Sequence, residues 1–158
     1  MPLDQSMLKN ALQDIFEDMP PSAAECAGAI AVAYADYAET GMFGASVPVI
    51  DGDRIDAMAS VLEEALDPIV GLPVVLAGGF AAAVAAFWLA VPVVGAQVGV
   101  TVGCPGASSL TGALTSVFAN LANTASSCAD GVASALHSAT ATVTANVAPP
   151  PGTVASIA

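Results

Sequence analysis

In the first third of the chain, apolar residues recur at every third or fourth position. Between Asp4 and Asp18, Leu8, Leu12, Ile15 and Phe16 share one face and Lys9, Gln13 and Glu17 the other, which predicts an amphipathic helix stopped by Pro20 and Pro21. Ser22 with Glu25 three residues on has the form of a capping box. The alanine-rich stretch behind it predicts a second helix to Thr40, with Ile30, Tyr34 and Tyr37 on or near its apolar side and Gly41 as its C-terminal cap. Met42 to Gly52, with Gly44, Pro48 and Gly52, reads as a loop. Ile55, Met58, Leu62 and Leu66 predict a third helix from Asp53 to Leu66, with Asp53 able to cap its start. Pro68, Gly71 and Pro73 then break the period.

The pattern changes beyond that break. From Pro73 to Pro92 the run is wholly uncharged, and predicts either a central helix buried on all sides or a membrane span. Val94, Ala96, Val98, Val100 and Val102 alternate with Gly95, Gln97, Gly99 and Thr101, the period of an extended strand or arm with one covered face. Ser108 or Ser109 can open another helix, with Leu110, Leu114, Val117, Phe118 and Leu121 on its apolar face. An interruption at Asn123 to Ser127 precedes a short helix from Cys128 to Leu136. A second alternating stretch, Thr140 to Val147, sets Val143 and Val147 among threonines, and Pro149, Pro150, Pro151 and Gly152 end it. The fold class expected is therefore mainly α: a helical bundle with extended β-like arm segments at 94–102 and 140–147. Residues 1–136 form its helical domain, acidic and amphipathic over 1–67 and neutral and apolar over 68–136. Residues 137–158 form an extended C-terminal arm.

Charge divides the chain along the same line. Of its two basic and fourteen acidic residues, all but Asp130 lie between Asp4 and Asp67. A net charge of −12 with only Lys9 and Arg54 basic removes any electrostatic route to phosphate backbones, so no nucleic-acid partner is expected. The hydrophobic content of 56% comes largely from alanine, and small residues fill helix interfaces as readily as they face lipid. The neutral part needs a cover, either lipid or other subunits. Against lipid stand the missing Lys and Arg beside the 73–92 run, its Gly78, Gly79 and many alanines, and the alternating segment that follows it. Met1 to Met19 shows no secretory pattern, and three cysteines, Cys26, Cys104 and Cys128, exclude a complete intrachain disulfide framework.

Candidate chemistry is sparse. Asp51, Asp53 and Asp56 in DGDRID offer carboxylates for calcium but lack the remainder of an EF-hand loop, so a capped helix start is the better reading. Cys104, Cys128 and His137 match no short chelating motif. Cys128 or a nearby serine with His137 and Asp130 has the residue types of a nucleophilic triad without a nucleophile elbow around them. LAGGF and GASSLTG lack the lysine and spacing of a P-loop. The expectation is a non-enzyme with no catalytic, cofactor-binding or metal residues and no cofactor.

The order of segments MLKNALQDIFEDM, PPSAAECA, YAETG and a closing Thr/Val stretch followed by PPPG resembles the small alanine-rich virion structural proteins of tailed bacteriophages. Such proteins are encoded among tail, neck and baseplate genes. The resemblance implies a non-catalytic structural subunit of a phage tail, neck or baseplate, or of a phage-tail-like particle, assembled in the host cytoplasm into the virion. Its partners would be copies of itself and other virion proteins. The expected subunit interface comprises Val94, Val98, Val100, Val102, Val143 and Val147. The alternative is a holin-like or pore-forming protein that inserts the 73–92 segment in a membrane.

Overall fold

The computed structural model describes residues 2–67, 72–120, 122–148 and 153–158. Pro68, Gly71, Leu121 and Pro149 to Gly152, to which the sequence pattern assigned breaks and one apolar position, lie outside them. The described residues form six helices: α1 (Gln5–Asp18), α2 (Ala23–Glu39), α3 (Gly52–Leu66), α4 (Pro73–Phe87), α5 (Ala107–Ala119) and α6 (Ala125–Thr140). Five strands accompany them: β1 (Ser46–Pro48), β2 (Pro92–Gly95), β3 (Val98–Gly103), β4 (Thr144–Ala148) and β5 (Thr153–Ser156). Each helix packs on the next in sequence, and α1 packs on α6, so the six close into a ring. The Lys9–Asp130 ion pair, at 3.1 Å, lies across that closing contact.

The helix starts follow from short polar side chains that satisfy free amide groups. Asp4 accepts from the amides of Ser6 and Met7, Ser22 from Glu25, Asp51 from Arg54, and Thr124 from Ser127 in a reciprocal capping box. The third helix thus begins one residue earlier than the apolar pattern implied, with Asp51 rather than Asp53 as its cap. The last begins at Ala125 rather than Cys128 and runs on through His137 to Thr140, so the proposed C-terminal arm begins inside a helix. α4 is buried along only one side, through Ala77, Phe80, Ala83, Val84 and Phe87, and leaves Val74 and Val75 exposed. It turns into the sheet after Phe87, and no helix among the described residues is long and apolar enough to cross a membrane.

Both expected arms are sheet. The five strands pair antiparallel in sequence order, β1-β2-β3-β4-β5. Residues 94–102 are not one strand but a hairpin, β2 and β3, which turns at Ala96 and Gln97. The sheet curls until its edges meet through Phe43, which pairs with Ser46 at β1 and with Ile157 beyond β5. Met42 and Ala158 exchange both backbone hydrogen bonds, at 3.0 and 2.9 Å, and complete the closure. Residues 42 and 43 thus act as a sixth, very short strand. Closure also requires close approach. A side chain on Gly41 would meet Ile157 and Leu3, and one on Gly99 would collide with the Asn146 carbonyl.

The two rings share one internal pattern. Fully buried Leu8, Met58 and Leu110 stand at intervals of 50 and 52 residues (8 to 58 to 110), and so do Leu12, Leu62 and Leu114 in the same helices. On the second helix of each pair the same offsets relate Ala27, Ala77 and Ala129, then Ile30, Phe80 and Val132, then Tyr34, Val84 and Leu136. Phe43, Val93 and Ala145 continue the series into the hairpins. The chain is therefore three successive units of two helices and a β-hairpin, arranged around a common axis. Each unit alone exposes the apolar stripes of its helices; the ring buries them, each large side chain contributing about 2 kcal/mol.

Because Leu3 and Ile157 both lie against Gly41, the two chain ends are neighbours. A circular permutant that joins Ala158 to Leu3 through a short linker and opens the chain between Val49 and Ile50 is expected to fold cooperatively, within about 2 kcal/mol of the parent in urea denaturation. A permutant without cooperative unfolding would refute the three-unit ring.

Candidate interaction surface

Two features lie where helices meet sheet: a buried polar cluster inside and an apolar belt outside. The cluster begins at α2. Tyr34 and Tyr37, one turn apart, point their hydroxyls into the interior, where Tyr34 accepts a hydrogen bond from the Trp88 indole at 2.8 Å and bonds the Thr140 hydroxyl at 2.7 Å. Thr140 in turn donates to the Leu136 carbonyl. Phe87 stands edge-on to Tyr34 at 5.0 Å, and Phe43 from the sheet stands edge-on to Trp88 at 6.3 Å. Thr101 of β3 donates to the Trp88 carbonyl and accepts from the Val91 amide. One buried chain of hydrogen bonds thus ties α2, α6, the end of α4 and the sheet together, with one helix from each unit.

Of the residues singled out for chemistry, His137 and Cys104 lie at this cluster. His137 Nδ1 is hydrogen-bonded to the Tyr37 hydroxyl at 2.8 Å. Cys104 is buried and donates to the Ala139 carbonyl, and burial holds its thiol above the usual range. Cys26 and Cys128 are half-buried, with thiols likewise raised by burial, and occupy equivalent positions in the first and third units. A thiol raised by burial is held in its neutral form rather than as the nucleophilic thiolate. Asp130 faces solvent beside Lys9, so the Cys128, Asp130 and His137 set is not brought together as a triad. Among the described residues there is no group of three His, Cys, Asp or Glu that could hold a metal ion. Asp51 acts as a helix cap, the better of the two readings its sequence allowed.

The belt is built by strand alternation. In each hairpin's second strand one set of side chains faces inward and the other outward. Inward at equivalent places are Pro48, Thr101 and Ile157, all buried. Outward are three sets, all exposed: Ala45, Val98 and Val154; Val47, Val100 and Ser156; Val49, Val102 and Ala158. Val94 of β2 joins them, paired with Val47. Residues 42–50, 88–106 and 141–158 contain no Asp, Glu, Lys or Arg, so this surface is uncharged in all three units. Both basic side chains are engaged elsewhere, Lys9 on Asp130 and Arg54 on the carbonyls of Phe87, Leu89 and Ala90 at the end of α4.

Of the six valines expected at a subunit interface, four lie on this outer surface: Val94, Val98, Val100 and Val102, between 41% and 58% exposed. The other two do not. Val143 and Val147 are buried in the chain's own core, because the face of β4 that carries them turns inward. Sequence reasoning missed Val47, Val49 and Val154, whose short strands carry too few residues to show a period. Comparison with protein-family models, curated proteins and solved structures finds no match to this chain.

Tyr34 and Tyr37 are the only tyrosines, and burial raises both hydroxyls far above their ordinary value near 10. The folded chain therefore holds its tyrosine protons where the unfolded chain loses them. Stability is full below about pH 10 and falls as pH rises further. In an alkaline titration, tyrosinate absorbance is expected to appear only together with loss of far-ultraviolet dichroism; a tyrosinate transition near pH 10 in the folded protein would contradict the buried cluster. Tyr34→Phe leaves the Trp88 indole unpaired and is expected to cost about 1–3 kcal/mol in urea denaturation.

Proposed function

We propose that this chain is a structural subunit of a phage tail, neck or baseplate, or of a phage-tail-like particle, working through protein contacts and not through catalysis. The observation that carries the reading is the outer surface of the sheet, apolar and free of charge in every one of the three units. A lone protein in water gains nothing from such a surface, whereas a subunit gains a contact. The order of its segments, which resembles small alanine-rich virion proteins, supports the same reading. The partners are other copies and other virion proteins, and the site of action is the particle assembled in the host cytoplasm.

Its acidic part suits an exposed role in that setting. The charged residues of α1, α2 and α3 keep one side of the ring hydrated while the neutral sheet is covered. The membrane alternative relied on a 73–92 span, but only Pro73–Phe87 are helical and the following residues enter the sheet, which favours the particle reading.

Density-banded particles from cells producing the chain are expected to contain it in fixed proportion to the other structural proteins by quantitative mass spectrometry. Val98→Asp with Val102→Asp, both on the outer surface, is expected to lower that proportion at least tenfold while the variant remains folded by circular dichroism. Recovery of the parent chain only outside particles, or unchanged incorporation of the folded variant, would count against this function.

A further inference from the structure

We propose that the groove between α1 and α2 docks a basic amphipathic helix of another protein. The site lies on the helical ring and shares no residue with the sheet's outer surface, so it stands or falls apart from the particle role.

Helical spacing builds the groove. Ile15 of α1 and Gly28, Ala29 and Val32 of α2 line it, with Asp14 on the α1 side and Asp36 on the α2 side, both exposed. Asp18, one turn beyond Asp14, and Glu25, one turn before Gly28, extend the same two rows and are exposed as well. From Glu25 to Asp36 the groove runs about 16 Å, three turns of helix. A channel of small residues between two helices suits a third helix, whose apolar stripe enters it while its polar flanks meet the rims.

Three observations select a basic occupant from outside the chain. First, the rims carry carboxylates that no cation of this chain reaches. Lys9 is on Asp130, Arg54 is on the carbonyls at the end of α4, and His137 is on Tyr37. A second copy brings the same net charge of −12 and the same engaged cations, so it cannot serve. A neutral apolar partner would bring no charge to meet these carboxylates.

Second, the threefold repeat supplies an internal comparison. The places of Asp14 and Asp36 are taken by Glu64 and Ala86 in the second unit and by Ser116 and Ser138 in the third. Only the first unit thus has carboxylates at both places, although all three units share the helix pair. Third, Gly28 is not required by the chain's own packing. A side chain on Gly79 or Gly131 would collide with Ala65 or Val117, whereas one on Gly28 would meet nothing. Glycine inside a helix weakens it relative to alanine, and here the omitted methyl leaves the α2 backbone open to close approach from outside.

The test is fluorescence anisotropy of a labelled synthetic helical peptide titrated with the full chain. The peptide has about four turns, a stripe of alanine and leucine at helical spacing, and lysine and arginine on both flanks. The comparison peptide has the same composition with its apolar positions scrambled. The expected result is saturable binding of the amphipathic peptide in the micromolar range at about 50 mM salt, at least tenfold tighter than the scrambled one and weakening as salt rises. Asp14→Asn with Asp36→Asn is expected to raise the dissociation constant at least tenfold, and so is Gly28→Leu, which keeps the parent's circular dichroism spectrum. Should Gly28→Leu not fold, Val32→Arg, at an exposed position, fills the groove and supplies its cation from within, with the same expected loss. Asp53→Asn with Asp56→Asn removes two charges from α3 and is expected to leave binding within about twofold. Equal affinity for both peptides, no saturable binding at about 1 mM, or binding insensitive to Gly28→Leu or Val32→Arg would each overturn the proposal. An equal loss from the α3 pair would assign the binding to acidic charge at large and overturn it too.

Discussion

Ring closure is the constraint on which this molecule depends. Each helix has one strongly apolar stripe and each hairpin one inward face, and no single unit can cover both. Three units can, provided that the last meets the first. That meeting is made twice, by α1 on α6 among the helices and by Met42 and Phe43 on the C-terminal strand in the sheet. The chain's many small residues, glycine and alanine, allow these elements to approach closely, as at Gly41, where Leu3 and Ile157 pack together.

The hydrogen-bonded cluster at the centre couples the two rings. Trp88, the only tryptophan, sits where α4 turns into β2, with Tyr34 on its indole nitrogen and Thr101 on its carbonyl. Helix and sheet are therefore not separable domains with an arm appended. Residues 137–158 complete the structure, since α6 supplies Thr140 to the cluster and the last strand closes the sheet. Charge is concentrated on the first unit and the start of the second, while the buried positions repeat in all three.

Helices were legible in the sequence because their apolar spacing is set by burial within each helix: Leu8 and Leu12, Met58 and Leu62, and Leu110 and Leu114 all read correctly. The sheet was legible only as alternation. The hairpin pairs Pro92 with Val100 and Val93 with Gly99, so partners differ by an even number of residues and outward positions keep one parity; Val94 and Val98 to Val102 therefore looked like one strand although they belong to two. Alternation also separates two faces without saying which one the chain covers itself, and for that reason Val143 and Val147 were grouped with Val98 and Val100. The threefold repeat was present as spacing but not as identity. Leu, Met and Leu, or Ser, Leu and Thr, fill equivalent positions, and the units differ in length by two residues, so only burial reveals the match.

Residue-resolved amide hydrogen exchange at the closing strand tests the ring most directly. Met42 and Ala158 donate their amides to each other's carbonyls across the sheet's seam, and those amides would exchange freely in the absence of closure. The closed ring predicts that their amides are protected to nearly the same free energy as those of α2 and α4, opening only with global unfolding. Exchange of these two amides at rates near those of an unstructured peptide, with the helices still protected, would contradict it.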